Sequence, residues 1–163
     1  MKYSNFMLIK ARPIKGQIFP ISLAFLLLTP ALVTAQAKPD DIVGFWLTHG
    51  EKPAKVQVYR TGDQFAGKIV WLQFPIENGK PKMDDKNPEE SKRSQPLVGL
   101  VIMNSFKFDN DDEWNDGKIY DPQNGKTYSC YLSLKNKNTL KVRGYIGISL
   151  IGRTDYWTRT NFP

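Results

Sequence analysis

The 163-residue chain has one cysteine, Cys130, and one histidine, His49. A lone cysteine closes no disulfide within its own chain, and one Cys with one His builds neither a multi-ligand zinc site nor a Cys–His relay. Long apolar runs are equally scarce. The only one, roughly Ile18 to Val33, is broken by Pro20 and Pro30 and is shorter than the ~20 residues of a membrane span. The formal charge of +7 comes partly from Lys2, Lys10, Arg12 and Lys15, which precede that run. Setting those four aside leaves 19 of the 23 basic residues against 16 acidic ones. An excess that small, with acids interspersed, disfavours a nucleic-acid partner.

What is there begins with a basic head, a short apolar middle and a small-residue exit, either Val33-Thr34-Ala35 or Ala35-Gln36-Ala37. This is the pattern of a secretory signal, and a start at Met7 would keep it. Residues 1–35 are expected to be cleaved, and 36–163 to fold as a single β-barrel domain, soluble in a periplasmic or secreted space and not membrane-spanning. No Cys stands at the exit to carry a lipid anchor. Cys130 alternates with Leu132 and Leu134, which marks it as a buried apolar filler rather than a reactive thiol.

Beyond the exit the hydrophobic pattern has period two. Eight strand-like runs follow: Ile42–His49, Ala54–Arg60, Gln64–Gln73, Leu97–Phe106, Trp114–Tyr120, Lys126–Lys135, Thr139–Gly147 and Arg153–Thr160. Within them Phe65, Gly67, Ile69 and Trp71 fall on one face, as do Leu140, Val142 and Ile146. Short turns join most neighbours, among them Gly62-Asp63, Asn136-Lys137-Asn138 and the Asn124-Gly125 pair, which tolerates positive φ. Eight antiparallel strands in up-and-down order suit a closed barrel, which leaves no sticky edge; an open sandwich is the alternative. One long connection, Phe74–Pro96, interrupts the pattern, and Asn87-Pro88 could cap a short helix within it.

Gly44-Phe45-Trp46 on the first strand resembles the opening of lipocalins and the wider calycins. There the Trp closes one barrel end under an Arg from the last strand. The resemblance implies a barrel-closing group of Gly44, Trp46, Trp157 and either Arg153 or Arg159, held by cation–π packing. A longer series covers most of the chain: Gly67-Lys68-Ile69-Val70-Trp71, Asp84 to Asn87-Pro88, Arg93, Pro96-Leu97-Val98-Gly99-Leu100, Gly117-Lys118-Ile119-Tyr120-Asp121-Pro122, Asn124-Gly125-Lys126-Thr127-Tyr128, Leu140 to Gly147, and Arg153 to Trp157. In order and spacing it is similar to the exported bacterial family called domain of unknown function 2147, DUF2147. That resemblance implies a lipocalin-like barrel and no established activity.

Candidate functional residues follow from the barrel. Phe65, Trp71, Tyr128, Arg143 and Tyr145 are candidates to line a ligand site, with Arg143 meeting an anionic head if its face is inward. If the Leu140/Val142/Ile146 face is inward instead, Arg143 and Tyr145 are solvated. Asp84, Asn87 and Arg93 are candidates to clamp the long loop, with Asp84 paired to Arg93. The acidic loop Asp109–Glu113 carries oxygen ligands but has Trp114 where a calcium loop needs Gly, so it reads as a solvated hairpin tip, and His49 as a turn residue. No Gly-x-Ser-x-Gly elbow, phosphate-cradling loop or dinucleotide fingerprint is present, so no catalytic residue, cofactor or metal is assigned and an enzyme is not expected. The expected function is capture of a small apolar or amphipathic ligand, lipid-like or fatty-acid-like, within the barrel. The alternative is an envelope protein–protein interaction module or inhibitor, working through its loops around a side-chain-filled barrel.

Overall fold

The structure is a computed structural model and describes residues 36–162; the expected export segment lies outside them. A short 3₁₀ turn, Pro39–Ile42, precedes ten strands. These are β1 (Gly44–Leu47), β2 (Ala54–Thr61), β3 (Gln64–Leu72), β4 (Ile76–Glu77), β5 (Lys80–Pro81), β6 (Val101–Phe108), β7 (Glu113–Asp121), β8 (Lys126–Asn136), β9 (Thr139–Tyr145) and β10 (Gly152–Thr160). Eight of them close an antiparallel barrel in the order β1-β10-β9-β8-β7-β6-β3-β2, while β4 and β5 form a separate hairpin. Closure is made by β1 against β10, with Phe45 opposite Thr160, Trp46 opposite Arg159 and Leu47 opposite Thr158. The eight expected strands are the eight barrel strands.

Alternation decides the inside. Val56 and Val58 on β2, Phe65 and Ile69 on β3, Met103 and Phe106 on β6, Trp114 on β7, Cys130 and Leu132 on β8, Leu140 and Val142 on β9, and Trp157 on β10 are all buried. Directly paired residues of an antiparallel ladder share a face, so this set fixes the inner side of every strand. Packing there is tight. A methyl added at Gly117 would fall 2.1 Å from the Phe106 ring, and one at Gly67 would lie 2.9 Å from Met103 Sδ. Irregular registers at these points, between Trp114 and Gly117 and between Phe65 and Lys68, are the bulges that bend strands into a closed wall.

Three local expectations are corrected. The register of β2 with β3 breaks between Lys55 and Val56, so Ile69 pairs with Val56 but Trp71 pairs with Lys55. One extra residue reverses the faces beyond it, and Trp71 leaves the side shared by Phe65, Gly67 and Ile69. Strand β9 ends at Tyr145, before Ile146 can join Val142 inside, and Ile146 is 65% exposed. At the β7–β8 turn only Gly125 takes the left-handed conformation (φ +70°). Asp121 shapes that turn: its carboxylate accepts from Gln123 N and Asn124 Nδ2.

Candidate functional site at the two barrel ends

Chain direction gathers the β2–β3, β6–β7 and β8–β9 turns at one end with the 3₁₀ turn, and this end is plugged. Ile42 and Trp46 are fully buried, and Trp46 Nε1 donates to Ile42 O at 2.8 Å. Trp114 Nε1 donates to Pro39 O at 2.9 Å. The acidic loop contributes by pinning the incoming chain: Asp112 accepts from Ala37 N, while Asp109 accepts from the Asp111 and Glu113 amides. Arg159 completes the plug. Its guanidinium lies 4.2 Å from the centre of the Trp46 ring and donates to Lys137 O, Val43 O and Asp41 O. Partial burial pulls its pKa below the ordinary arginine value, while the charge of Asp41 pushes it back up. Gly44 is favoured here by its backbone, whose φ of +137° strains any L side chain, and it lies against the Arg159 guanidinium. Of the two candidate arginines, therefore, Arg159 packs on the tryptophan. Arg153 lies six residues earlier on the same face, at the far end. Trp157 is buried between them, donating to Asp155 Oδ2.

The far end gathers the β1–β2, β7–β8 and β9–β10 connections and the long one from β3 to β6, and among the described residues no stacked Trp–Arg pair like that of Trp46 and Arg159 crosses it. Ile119, opposite Tyr128, and Gly144, opposite Arg153, carry the inner side of the wall up to this rim. Ile119 and Tyr128 are half-buried there, and Arg153 is exposed. A methyl at Gly144 would meet only Ile119 Cγ2 at 3.7 Å and Tyr128 Cβ at 3.8 Å. Those are ordinary van der Waals contacts, unlike the collisions at Gly67 and Gly117. No ion pair among the described residues involves Arg153.

The five expected lining residues are not brought together. Phe65 is deep in the core, 1% exposed. Tyr128 is inward at the rim. Trp71 is outside, with Lys55 Nζ 5.5 Å from its ring centre. Arg143 pairs with Thr154 on the outer face, donates to its hydroxyl, and also donates to Ser149 O and Leu150 O. Tyr145 falls on that outer face too, opposite Ser129. The residue that sequence reasoning passed over for the rim is Arg153, and the signal was available: it sits two residues before Asp155 and four before the buried Trp157.

The long connection is held by bonds other than the expected Asp84–Arg93 pair. Asp84 is fully buried and accepts from Asn87 Nδ2 and Tyr120 Oη, both at 2.6 Å. Arg93 does not pair with Asp84; its Nε donates to Asn87 O at 2.8 Å. Asn87 Oδ1 accepts from Glu89 N, and the short 3₁₀ helix starts later than expected, at Glu90–Lys92. Burial first, then the bond to Asp84 and the nearby acids, pushes the Tyr120 hydroxyl pKa well above its ordinary value. Gly125 lets the connection approach the β7–β8 turn, because a Cβ there would strike Lys86 O at 2.0 Å. Between the connection and the barrel wall lies a cleft of about 590 Å³ lined by Pro88, Lys92, Val98, Val101, Tyr120 and Thr127, among others.

A sequence profile described as "Uncharacterized protein conserved in bacteria (DUF2147)" matches residues 44–159. The chain belongs to DUF2147. The matched span runs from the Gly44 that faces Arg159 to Arg159 itself, so it takes in all of the closed wall but Thr160. Among solved structures, this DUF2147 chain is similar to protein HP1028 of Helicobacter pylori, described as belonging to the lipocalin family. Identity is 20%, with 73% of this chain and 82% of that chain covered and a TM-score of 0.65. The likeness establishes a lipocalin-like fold. No curated protein matches. Elsewhere in this DUF2147 chain, Cys130 is fully buried, and burial pushes its thiol pKa up to about 12. His49 Nε2 lies 2.8 Å from Thr158 Oγ1. Among the described residues, no group of three His, Cys, Asp or Glu is placed to hold a metal ion, and no helix is long and apolar enough to cross a membrane.

Proposed function

We propose that this DUF2147 protein is an exported, non-enzymatic binding protein that holds a small amphipathic molecule at the unplugged rim rather than deep in a calyx. One observation carries the reading: the inward register of Arg153 and Tyr128 beside Gly144, where an added Cβ would meet only ordinary van der Waals contacts. Arg153 supplies an unpaired cation for an anionic head, and Ile119 with the Tyr128 ring supplies apolar wall, the few-polar-groups-on-apolar-lining recipe of small-ligand sites. The crowding at Gly67 and Gly117 argues against an acyl chain threading the core.

Titration with a fluorescent fatty-acid probe tests this. Wild-type protein is expected to bind, and Arg153→Ala and Gly144→Val each to weaken binding by about tenfold, since a charge-assisted bond or a filled subsite is worth over 1 kcal/mol. An unresponsive wild type, or variants equal to it, sinks the rim site. Export is tested separately, by mass spectrometry of the periplasmic fraction, where cleavage near Ala35 or Ala37 is expected.

A second reading, capture of an envelope protein, has its own support. The Phe74–Pro96 connection is held in one shape by Asp84 and overhangs a cleft. Replacing residues 76–95 with a short Gly-Ser linker should abolish partner capture from envelope extract without losing the fold. Undiminished capture excludes the connection.

A further inference from the structure

The β9–β10 connection exposes Ile146, Ile148, Leu150 and Ile151 at 65%, 60%, 84% and 67%. Four large aliphatic side chains held out to water within six residues are not the scattered exposure of an ordinary surface. Nor are they held out for lack of structure. Ile151 N donates to Ile148 O, Ile146 N donates to Ile151 O, and Gly147 takes φ +72°. Arg143 then reaches in from the wall and bonds Ser149 O and Leu150 O, closing the loop into a fixed knob.

We infer that this knob docks on the surface of an anionic lipid bilayer, with Ile148 and Leu150 entering the boundary between headgroups and acyl chains. Three features select that occupant. The large exposed side chains of the tip are all aliphatic, whereas protein-binding hot spots favour Trp, Tyr and Arg. The carbonyls of Ser149 and Leu150 already accept from Arg143, so neither is left without a donor in an apolar medium. Charge is complementary: the charged residues that border the loop at this end, Arg143 and Arg153, are both basic, and no acid lies between Arg143 and Thr154. Basic groups flanking an apolar tip are drawn to anionic headgroups and keep their charge there while their stems lie along the apolar layer. The hairpin end of the long connection adds Phe74 and Ile76, 52% and 55% exposed, at the same end of the barrel.

The inference does not depend on a ligand at the rim. Its test is flotation of the full mature protein with vesicles of phosphatidylcholine containing one-quarter phosphatidylglycerol, and with phosphatidylcholine alone. Wild type should float with the anionic vesicles, more weakly with the neutral ones, and less as salt rises. Ile148→Ser with Leu150→Ser should lower partitioning on the order of a hundredfold, from two buried aliphatic side chains, while the melting temperature and fatty-acid-probe binding in solution stay as in wild type. Wild type remaining at the bottom of the gradient overturns the inference. So does flotation unchanged in the double variant, or lipid-free dimerisation that the double variant abolishes without any wild-type flotation. Loss of probe binding with flotation intact would count only against the rim site.

Discussion

Two arginines on one face of β10 mark the two ends of this barrel. Arg159 is stacked on Trp46 and bonded to three backbone carbonyls. Arg153 has no ion pair among the described residues and stands at the other rim, opposite Gly144. The plugged end spends its polar groups on its own backbone, and its tryptophans are sealed. The other end keeps a cation and a set of aliphatic side chains unspent. The contrast assigns stability mainly to the first end and the proposed recognition to the second, because a group already bonded within the fold has little left for a partner.

That division can be broken by mutation. Trp46→Ala should be the most damaging change, costing about 4 kcal/mol as a fully buried aromatic is lost from the plug; a urea midpoint close to wild type would show that the plug is not where stability lies. Arg159→Ala should cost about 2 to 3 kcal/mol, from lost charged hydrogen bonds and cation–π packing. Arg153→Ala should stay within about 0.5 kcal/mol of wild type. Equal losses for the two arginines would erase the contrast between the ends. Tyr120→Phe removes one of the two side-chain donors to buried Asp84 and should cost about 1 to 2 kcal/mol, read as faster proteolysis within Phe74–Pro96.

A pH series sharpens the same point in the middle of the barrel. Burial raises the Cys130 thiol from its ordinary value of 9.0 to about 12, so the native state keeps a proton that the unfolded state sheds. The stabilisation is whole below pH 9 and drains as pH climbs towards about 12. Denaturation midpoints across pH 8 to 11 should fall in wild type, and fall less steeply in Cys130→Ala.

Most of the wall was legible in the chain. Alternation and turn residues place eight strands in order, with ends off by a few residues: β6 begins at Val101 because Leu97–Leu100 turns onto the Ile69 backbone, with Gly99 N donating to Ile69 O. The site was less legible. A bulge that no residue announces turns Trp71 outward, Arg143 is consumed by its own loop, and Arg93 bonds a carbonyl rather than Asp84. Period two says which residues are alike along one strand. It does not say which set faces in.

The sequence by itself therefore determined an all-β chain and its strand count and order, because these rest on local alternation and turn chemistry that each segment carries alone; the tryptophan that seals one end came from a family resemblance. Only the tertiary structure decided which arginine meets that tryptophan, which rim stays unplugged, and which apolar residues are left in water. Those outcomes depend on register between strands far apart in sequence, where one inserted residue exchanges the inside for the outside.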